Sequence, residues 1–380
     1  MPVAIILAAY CSGAVPFAWL LVRRWGVSDL RRVGSGNVGA ANVLRASGVS
    51  AGVLVAVLDI ATLSQNDRVQ HELMVRARDD KTTRNGDPYA VVSLGNATGQ
   101  LAANVWKEQL PWIDGVKAGS IVQVIGTIEL YQGRRQLKLT APLRLVPGGA
   151  ADLAEFLPHI VGDVASLWHT VDGWRSGISA KTLRQAVDLF FADDAFRAAF
   201  EKSPGAPRGH HAQVGGLLQH VVEVATIARA AVDMMKGDVD LVTVGALLHD
   251  IGKVEAYSTT AAGFDHTTAG RLLGHVALGA LMLERRLRTL PEGTLTEAQE
   301  LELHHFILSH HGRLEFGAAV QPMTLEADLL HWADQSSAKG NDFNEAIDDR
   351  DLFPGNEPFS VRGAWRLDNR RVWRRTHHWE

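Results

Sequence analysis

The sequence predicts an α+β chain in which a small β-barrel precedes an all-α helical bundle and a hydrophobic N-terminal helix precedes both. Residues 2–21 are almost uninterrupted apolar, residues 69–147 alternate in short runs broken by turn residues, and from about residue 150 apolar positions recur at helical spacing. At 380 residues the chain exceeds one typical core. It divides by pattern into residues 1–60, 61–149, a helical linker 150–205, a bundle 206–345 and a basic, aromatic tail 346–380.

Charge is nearly balanced overall, with 38 Lys and Arg against 42 Asp and Glu, but it is uneven along the chain. Residues 61–150 hold eleven basic against eight acidic side chains, and residues 151–380 hold 22 against 32. A mildly basic module ahead of an acidic one suits a substrate-holding domain feeding a cation-holding domain. Cys11 is the only cysteine, which excludes an internal disulfide framework and a thiolate zinc site.

The first segment reads as a membrane helix. Its apolar run has about the ~20 residues that span a bilayer, and Arg23, Arg24, Arg31 and Arg32 follow it, so its C-terminal end is expected to face the cytoplasm. No basic residue precedes the run, so a cleaved signal peptide fits poorly. The chain is therefore expected in the cytoplasm, or tethered through residues 3–22 to the inner face of the cell membrane. Ser12-Gly13-Ala14-Val15-Pro16-Phe17, with Val33-Gly34-Ser35-Gly36-Asn37-Val38-Gly39 and on to Arg45, resembles the start of bacterial membrane glycerol-3-phosphate acyltransferases. That resemblance implies Ser35 and Arg45 as site residues. The family's later helices and its other motifs are missing, which points to a fusion, a vestigial anchor or a mis-joined frame in place of an intact acyltransferase.

Five strands are expected next, at Glu72–Arg78, Tyr89–Gly95, Gly99–Trp106, Ile121–Tyr131 and Gln136–Leu145. Asn85-Gly86-Asp87-Pro88 and Gln132-Gly133 supply hairpin turns. Five strands in about 80 residues point to an OB-type barrel. Such barrels hold single-stranded nucleic acid with cations and aromatic platforms. The candidates are Lys81, Arg84, Tyr89, Trp106, Tyr131, Arg134 and Arg135, with Lys138 beside them. Core packing for the aromatics and hairpin solubility for the charges are the competing roles. Pro142 inside the last strand implies an edge position.

Ten of the sixteen histidines fall between His210 and His311, mostly in helix-like segments. Histidine is a mediocre helix former, so the density needs a cause. His220 sits in an expected helix Val214–Met235, His249-Asp250 near the end of Asp240–Val254, and His275 in Gly270–Arg288. His310-His311 close Thr296–His311, and Asp334 lies in Thr324–Lys339. One such histidine is ordinarily a satisfied core residue. Seven His and Asp spread over five apolar helices would cost several kcal/mol without a shared partner, which a divalent cation supplies. Imidazole and carboxylate donors suit Mn²⁺, Fe²⁺, Mg²⁺ or Zn²⁺ in an open hydrolytic site.

The pattern His220, His249-Asp250-Ile251-Gly252-Lys253, His275, His310-His311, Asp334 is similar to the HD phosphohydrolase superfamily in its two-metal form. The resemblance implies an HD-domain bundle in which His220, His249, Asp250 and Asp334 hold one ion. Asp250 would bridge to a second ion held by His275, His310 and His311, and Lys253 would reach a phosphate oxygen or the attacking water. Asp250 and Lys253 are thus the expected catalytic pair. His210-His211-Ala212-Gln213-Val214-Gly215-Gly216-Leu217-Leu218-Gln219-His220 and Ser309-His310-His311-Gly312-Arg313-Leu314-Glu315-Phe316-Gly317 resemble the YhaM-type 3'-to-5' exoribonucleases, which pair an OB-fold with an HD domain. This implies hydrolysis of single-stranded RNA, with DNA as a further substrate, using two divalent ions with Mn²⁺ favoured. An HD hydrolase of a small or cyclic nucleotide and a membrane acyltransferase fragment are the alternatives. The tail from Arg362 to Arg375 is expected to contact RNA or to strap the bundle.

Overall fold

The computed structural model describes residues 58–131, 133–146, 156–160, 162–260 and 263–379. The apolar segment 3–22, Ser35 and Arg45 lie outside them, and among the described residues no helix is long and apolar enough to cross a membrane.

The barrel is built from β1 (Arg68–Thr82), β2 (Pro88–Asn96), β3 (Gly99–Val105), β4 (Ile121–Tyr131) and β5 (Arg134–Leu139). The first half of β1 pairs with β4 and its second half with β2, with an irregularity between Val75 and Ala77. That length lets one strand serve two neighbours. β2 continues to β3, β4 to β5, and the parallel pair Ala102–Gln136 closes the ring. Closure removes the free edges that would otherwise template aggregation. Alternation fills the interior: Val122, Val124 and Ile128 of β4 and Ala90, Val92 and Leu94 of β2 are all fully buried.

The expected strand Gln136–Leu145 is two strands. β5 ends at Leu139, and β6 (Arg144–Leu145) resumes after Pro142, whose missing N–H cannot serve a ladder.

Residues 150–205, expected as a helical linker, hold α1 (Val164–Gly177), α2 (Lys181–Phe191) and α3 (Asp194–Lys202). Asp163 and Asp193 cap α1 and α3 by accepting main-chain N–H bonds. Trp168, Phe190, Phe191, Phe196 and Phe200 share one apolar cluster with Leu217, Leu218, Val221, Val244 and Leu247. Each buried aromatic contributes about 1.5–3 kcal/mol, so these helices are part of the bundle's core.

The remaining helices are α4 (Gly216–Met235), α5 (Val239–Leu248), α6 (Lys253–Ala256), α7 (Thr268–Leu287), α8 (Glu297–Ser309) and α9 (Leu325–Asp348). α5 stops short of the expected Val254, because His249 to Gly252 form turns that lead into α6. A Cβ on Gly252 would lie 2.0 Å from the His275 carbonyl oxygen and 2.4 Å from the Gly279 nitrogen. Only glycine lets the His-Asp turn touch the backbone of α7. A hairpin of β7 (Tyr257–Thr260) and β8 (Gly263–His266) follows, which four-residue runs did not announce in the sequence. α7 starts from the Thr267 cap and breaks at Gly274, whose φ of 75° and ψ of 160° suit glycine. α9 runs past the expected Lys339 to Asp348.

Beyond α9, Leu352, Phe353, Ala364, Leu367 and Val372 form a small apolar cluster with Ala346. The tail also reaches the barrel, where Asp351 Oδ1 accepts from Arg135 Nε at 3.0 Å. Trp365 and Trp373 stay exposed on its surface.

Gly252→Ala is expected to lower the thermal midpoint through an overpacking cost of about 1–3 kcal/mol. A differential scanning measurement that finds the midpoint unchanged would refute the close approach.

Candidate metal centre

Five helical segments deliver the cluster. α4 supplies His220, the turn after α5 supplies His249 and Asp250, α7 supplies His275, the end of α8 leads into His310 and His311, and α9 supplies Asp334. His220, His249, Asp250, His310 and Asp334 are buried. Their ligand atoms fall into two groups, His220 with His249 and Asp334, and His275 with His310 and His311, with the atoms of each group within 4.8 Å of one another. Asp250 stands between them. Its Oδ2 lies 3.1 Å from His249 Nε2 and 3.4 Å from His220 Nε2, and its Oδ1 lies 3.5 Å from His275 Nε2 and 3.6 Å from His310 Nε2.

The ring orientations are fixed from behind. His249 Nδ1 donates to the Ala246 carbonyl at 2.7 Å, His310 Nδ1 to Ile307 at 2.7 Å, and His311 Nδ1 to Phe316 at 2.6 Å. A carbonyl can only accept, so each neutral ring carries its proton on Nδ1 and presents a bare Nε2 inward. Electron-rich atoms therefore face one another: the Nε2 atoms of His249 and His310 and the Asp250 Oδ1 are buried without a hydrogen-bond partner. His275 Nε2 and His311 Nε2 approach to 3.1 Å. A buried cation removes that repulsion, and an all-nitrogen and oxygen donor set is one that divalent ions accept.

Electrostatics agree. Burial would raise the Asp250 carboxyl, but the Lys253 ammonium and His249 more than reverse this and hold it well below the usual range. Lys253 Nζ lies 2.5 Å from Asp250 Oδ2, and that pairing keeps the buried amine charged against its desolvation. Asp334 is likewise lowered, its burial outweighed by His220 at 3.0 Å. Burial pushes His275 down to about 3 and His310 well down, so both rings are neutral near neutrality. For His220, burial is outweighed by Asp250 and Asp334, whose pull on a proton is equally a pull on a metal ion.

Sequence reasoning passed over the groups behind and beside this cluster. Glu223 and Ser337 stand one helical turn beyond His220 and Asp334, a spacing that was available as a signal. His211 is fully buried beside them. His210 has its ring 6.1 Å from that of His220, and Tyr257 has its ring 6.4 Å from that of His275.

The barrel candidates separate into two places. Tyr89 stacks on Trp106 with centroids 5.3 Å apart, Lys81 is the register partner of Tyr89, and Arg84 is exposed in the adjoining turn. Tyr131 and Arg134 are register partners at the β4–β5 hairpin, both exposed. Lys138 pairs with Glu129 at 2.8 Å. Arg135 is a correction: its guanidinium donates to the carbonyls of Ile60, Ala61 and Leu63 and to Asp351, so it holds the barrel to the tail and is not free for a ligand.

Fold and site together define a hydrolytic enzyme of the HD class, and the HD domain family matches residues 217–339. HD domains bind divalent metal, which this cluster fits. The chain is homologous to 3'-5' exoribonuclease YhaM of Bacillus subtilis (strain 168), at 28% identity over 313 residues, covering 82% of this chain and 96% of that protein. It is similar also to 3'-5' exoribonuclease YhaM of Listeria welshimeri serovar 6b, at 29% over 310 residues, covering 80% of this chain and 94% of that one. Residues 3–62 match a different family, glycerol-3-phosphate acyltransferase.

The metal-free protein is expected to lose stability as pH falls below 6.5. His210, His211, His275 and His310 are depressed from 6.5 in the folded state, so below that value the unfolded chain binds protons that the folded chain refuses. The lowered Asp250 and Asp334 act in the same direction from 3.8 downward, and the raised His220 opposes. Thermal midpoints in chelator at pH 7 and pH 5 measure this, and a midpoint that rises on acidification would contradict it.

Proposed function

We propose that the chain is a metal-dependent 3'-to-5' exoribonuclease that removes nucleotides from single-stranded RNA at a two-ion HD site. The observation that carries this reading is Asp250, whose two oxygens face two separate histidine groups. In this reading His220, His249, Asp250 and Asp334 would hold one ion and Asp250, His275, His310 and His311 the other, with Mn²⁺ the favoured metal. When bound, such ions supply the Lewis acid that makes water a nucleophile near neutral pH and neutralises the leaving oxygen.

The chain's own part begins with Lys253. Its buried ammonium orients Asp250 and offers a fixed positive charge to a phosphoryl oxygen. The barrel supports a polymer over a free nucleotide. The Tyr89–Trp106 stack offers an aromatic face with Lys81 opposite Tyr89 and Arg84 in the turn between β1 and β2, and Tyr131 and Arg134 present a second ring and cation. Stacking accepts any base and cations accept the backbone, which suits a strand drawn past without sequence preference. Polarity follows the relatives, named 3'-5' exoribonucleases, to which the likeness extends over 96% and 94% of their length. The cytoplasm, where RNA is turned over, is the proposed location.

End-labelled single-stranded RNA and DNA incubated with the full chain and Mn²⁺ test the reading. Stepwise shortening from the 3' end is expected, with RNA preferred. Asp250→Ala should abolish it and Lys253→Met should slow it about 100-fold or more; cleavage that survives Asp250→Ala would overturn the assignment. Trp106→Ala should weaken oligonucleotide binding by about 1–3 kcal/mol while leaving hydrolysis of a small phosphodiester unchanged. Equal losses on both substrates would remove the barrel from the substrate path.

A further inference from the structure

We propose that Glu223 and Ser337 form a positioning pair that fixes the tautomer of His220 and thereby sets the metal affinity of the group containing His220, His249 and Asp334. The proposal rests on the two-ion reading above. His249, His310 and His311 are oriented by main-chain carbonyls. His220 differs, because its Nδ1 lies 3.0 Å from the Ser337 hydroxyl, which can donate or accept. Ser337 by itself leaves open which ring nitrogen carries the proton.

Glu223 removes the ambiguity. Its Oε2 lies 2.7 Å from Ser337 Oγ, and an ionised carboxylate only accepts. The hydroxyl hydrogen is therefore committed to Glu223, and the oxygen lone pair receives His220 Nδ1–H. With the proton held on Nδ1, His220 Nε2, 3.0 Å from Asp334 Oδ1, is the nitrogen offered to an ion. Burial would raise the Glu223 carboxyl, but His211 and Ser337 reverse this and keep it ionised. His211 Nε2 stands 3.1 Å from Glu223 Oε2, and Gln219 Nε2 donates to Oε1 at 2.9 Å. The main-chain N–H of His211 donates to Asn341 Oδ1 at 3.0 Å, which anchors the support to α9. The spacing is economical: on α4 Glu223 follows His220 by one turn, and on α9 Ser337 follows Asp334 by one turn, so each ligand-bearing helix brings half of the pair.

Two substitutions separate this role from packing. Ser337→Ala removes the acceptor but leaves Glu223 and His211 bonded to each other. Glu223→Gln keeps the shape and lets an amide N–H donate to the hydroxyl, which then donates to His220 Nδ1 and drives the proton to Nε2. Calorimetric titration of the metal-free full chain with Mn²⁺ is expected to show two binding events in the native protein. In both variants one event should weaken by about 10–100-fold while the other is unchanged, the scale usual for groups behind metal ligands. Ser337→Thr, which keeps the hydroxyl, should restore native affinity. Native affinity at both events in Ser337→Ala and Glu223→Gln overturns the proposal, as does equal weakening of both. A native protein that binds a single ion overturns the two-ion reading alone, and the variants still test the pair on that event. A native protein that binds no divalent ion overturns both.

Discussion

The molecule is organised around one unfavourable arrangement: a buried carboxylate, Asp250, surrounded by imidazole nitrogens that present lone pairs to it. Left uncompensated, this would be among the most costly features a core could contain. The protein maintains it by tying the outer nitrogens of His249, His310 and His311 to main-chain carbonyls and that of His220 to the Ser337 hydroxyl, so that these rings cannot turn away. Lys253 gives Asp250 a single compensating charge from its own turn. What remains is an excess of donors aimed at a shared centre, and only a cation completes it.

Much of the surrounding structure follows from holding these donors in place. Asp250 must follow His249 directly yet face both histidine groups, and a continuing helix would carry it around the axis. The turns between α5 and α6 prevent this, and Gly252 brings them against the backbone of α7. The break at Gly274 then re-aims α7 so that the next residue, His275, reaches Asp250. The aromatic packing of α1 to α3 lies under α4 and α5, where it braces the two helices that carry His220 and lead into His249. Stability near the cluster and preorganisation of its donors are thus the same set of contacts.

The His and Asp cluster was legible in the sequence because its cost is legible: His and Asp on apolar helices demand an explanation. The barrel was legible because period-two runs and Gly-containing turns fix strands and hairpins. What stayed hidden depended on tertiary direction. Arg135 and Arg134 are adjacent on one exposed-looking hairpin, yet Arg135 turns to the carbonyls of residues 60, 61 and 63 and to Asp351, a contact between positions far apart in the chain. Glu223 and Ser337 read as ordinary helix-surface residues until α4 and α9 are laid side by side. The kink at Gly274 left the helical pattern around it intact, and the short β7–β8 hairpin fell below the length at which alternation is informative.

The contacts of Arg135 also bear on how a strand could reach the metal centre. Asp351 lies just beyond α9, the helix that carries Asp334, so the barrel is fastened to an extension of a ligand-bearing helix. A tether of that kind limits how far the aromatic platform can wander from the cluster. An enzyme acting on free nucleotides gains nothing from such a restraint. One that advances along a polymer does, because the strand held at the barrel must present its end to Asp250 repeatedly in the same geometry, and fixed orientation of the reacting end is itself a large part of the rate.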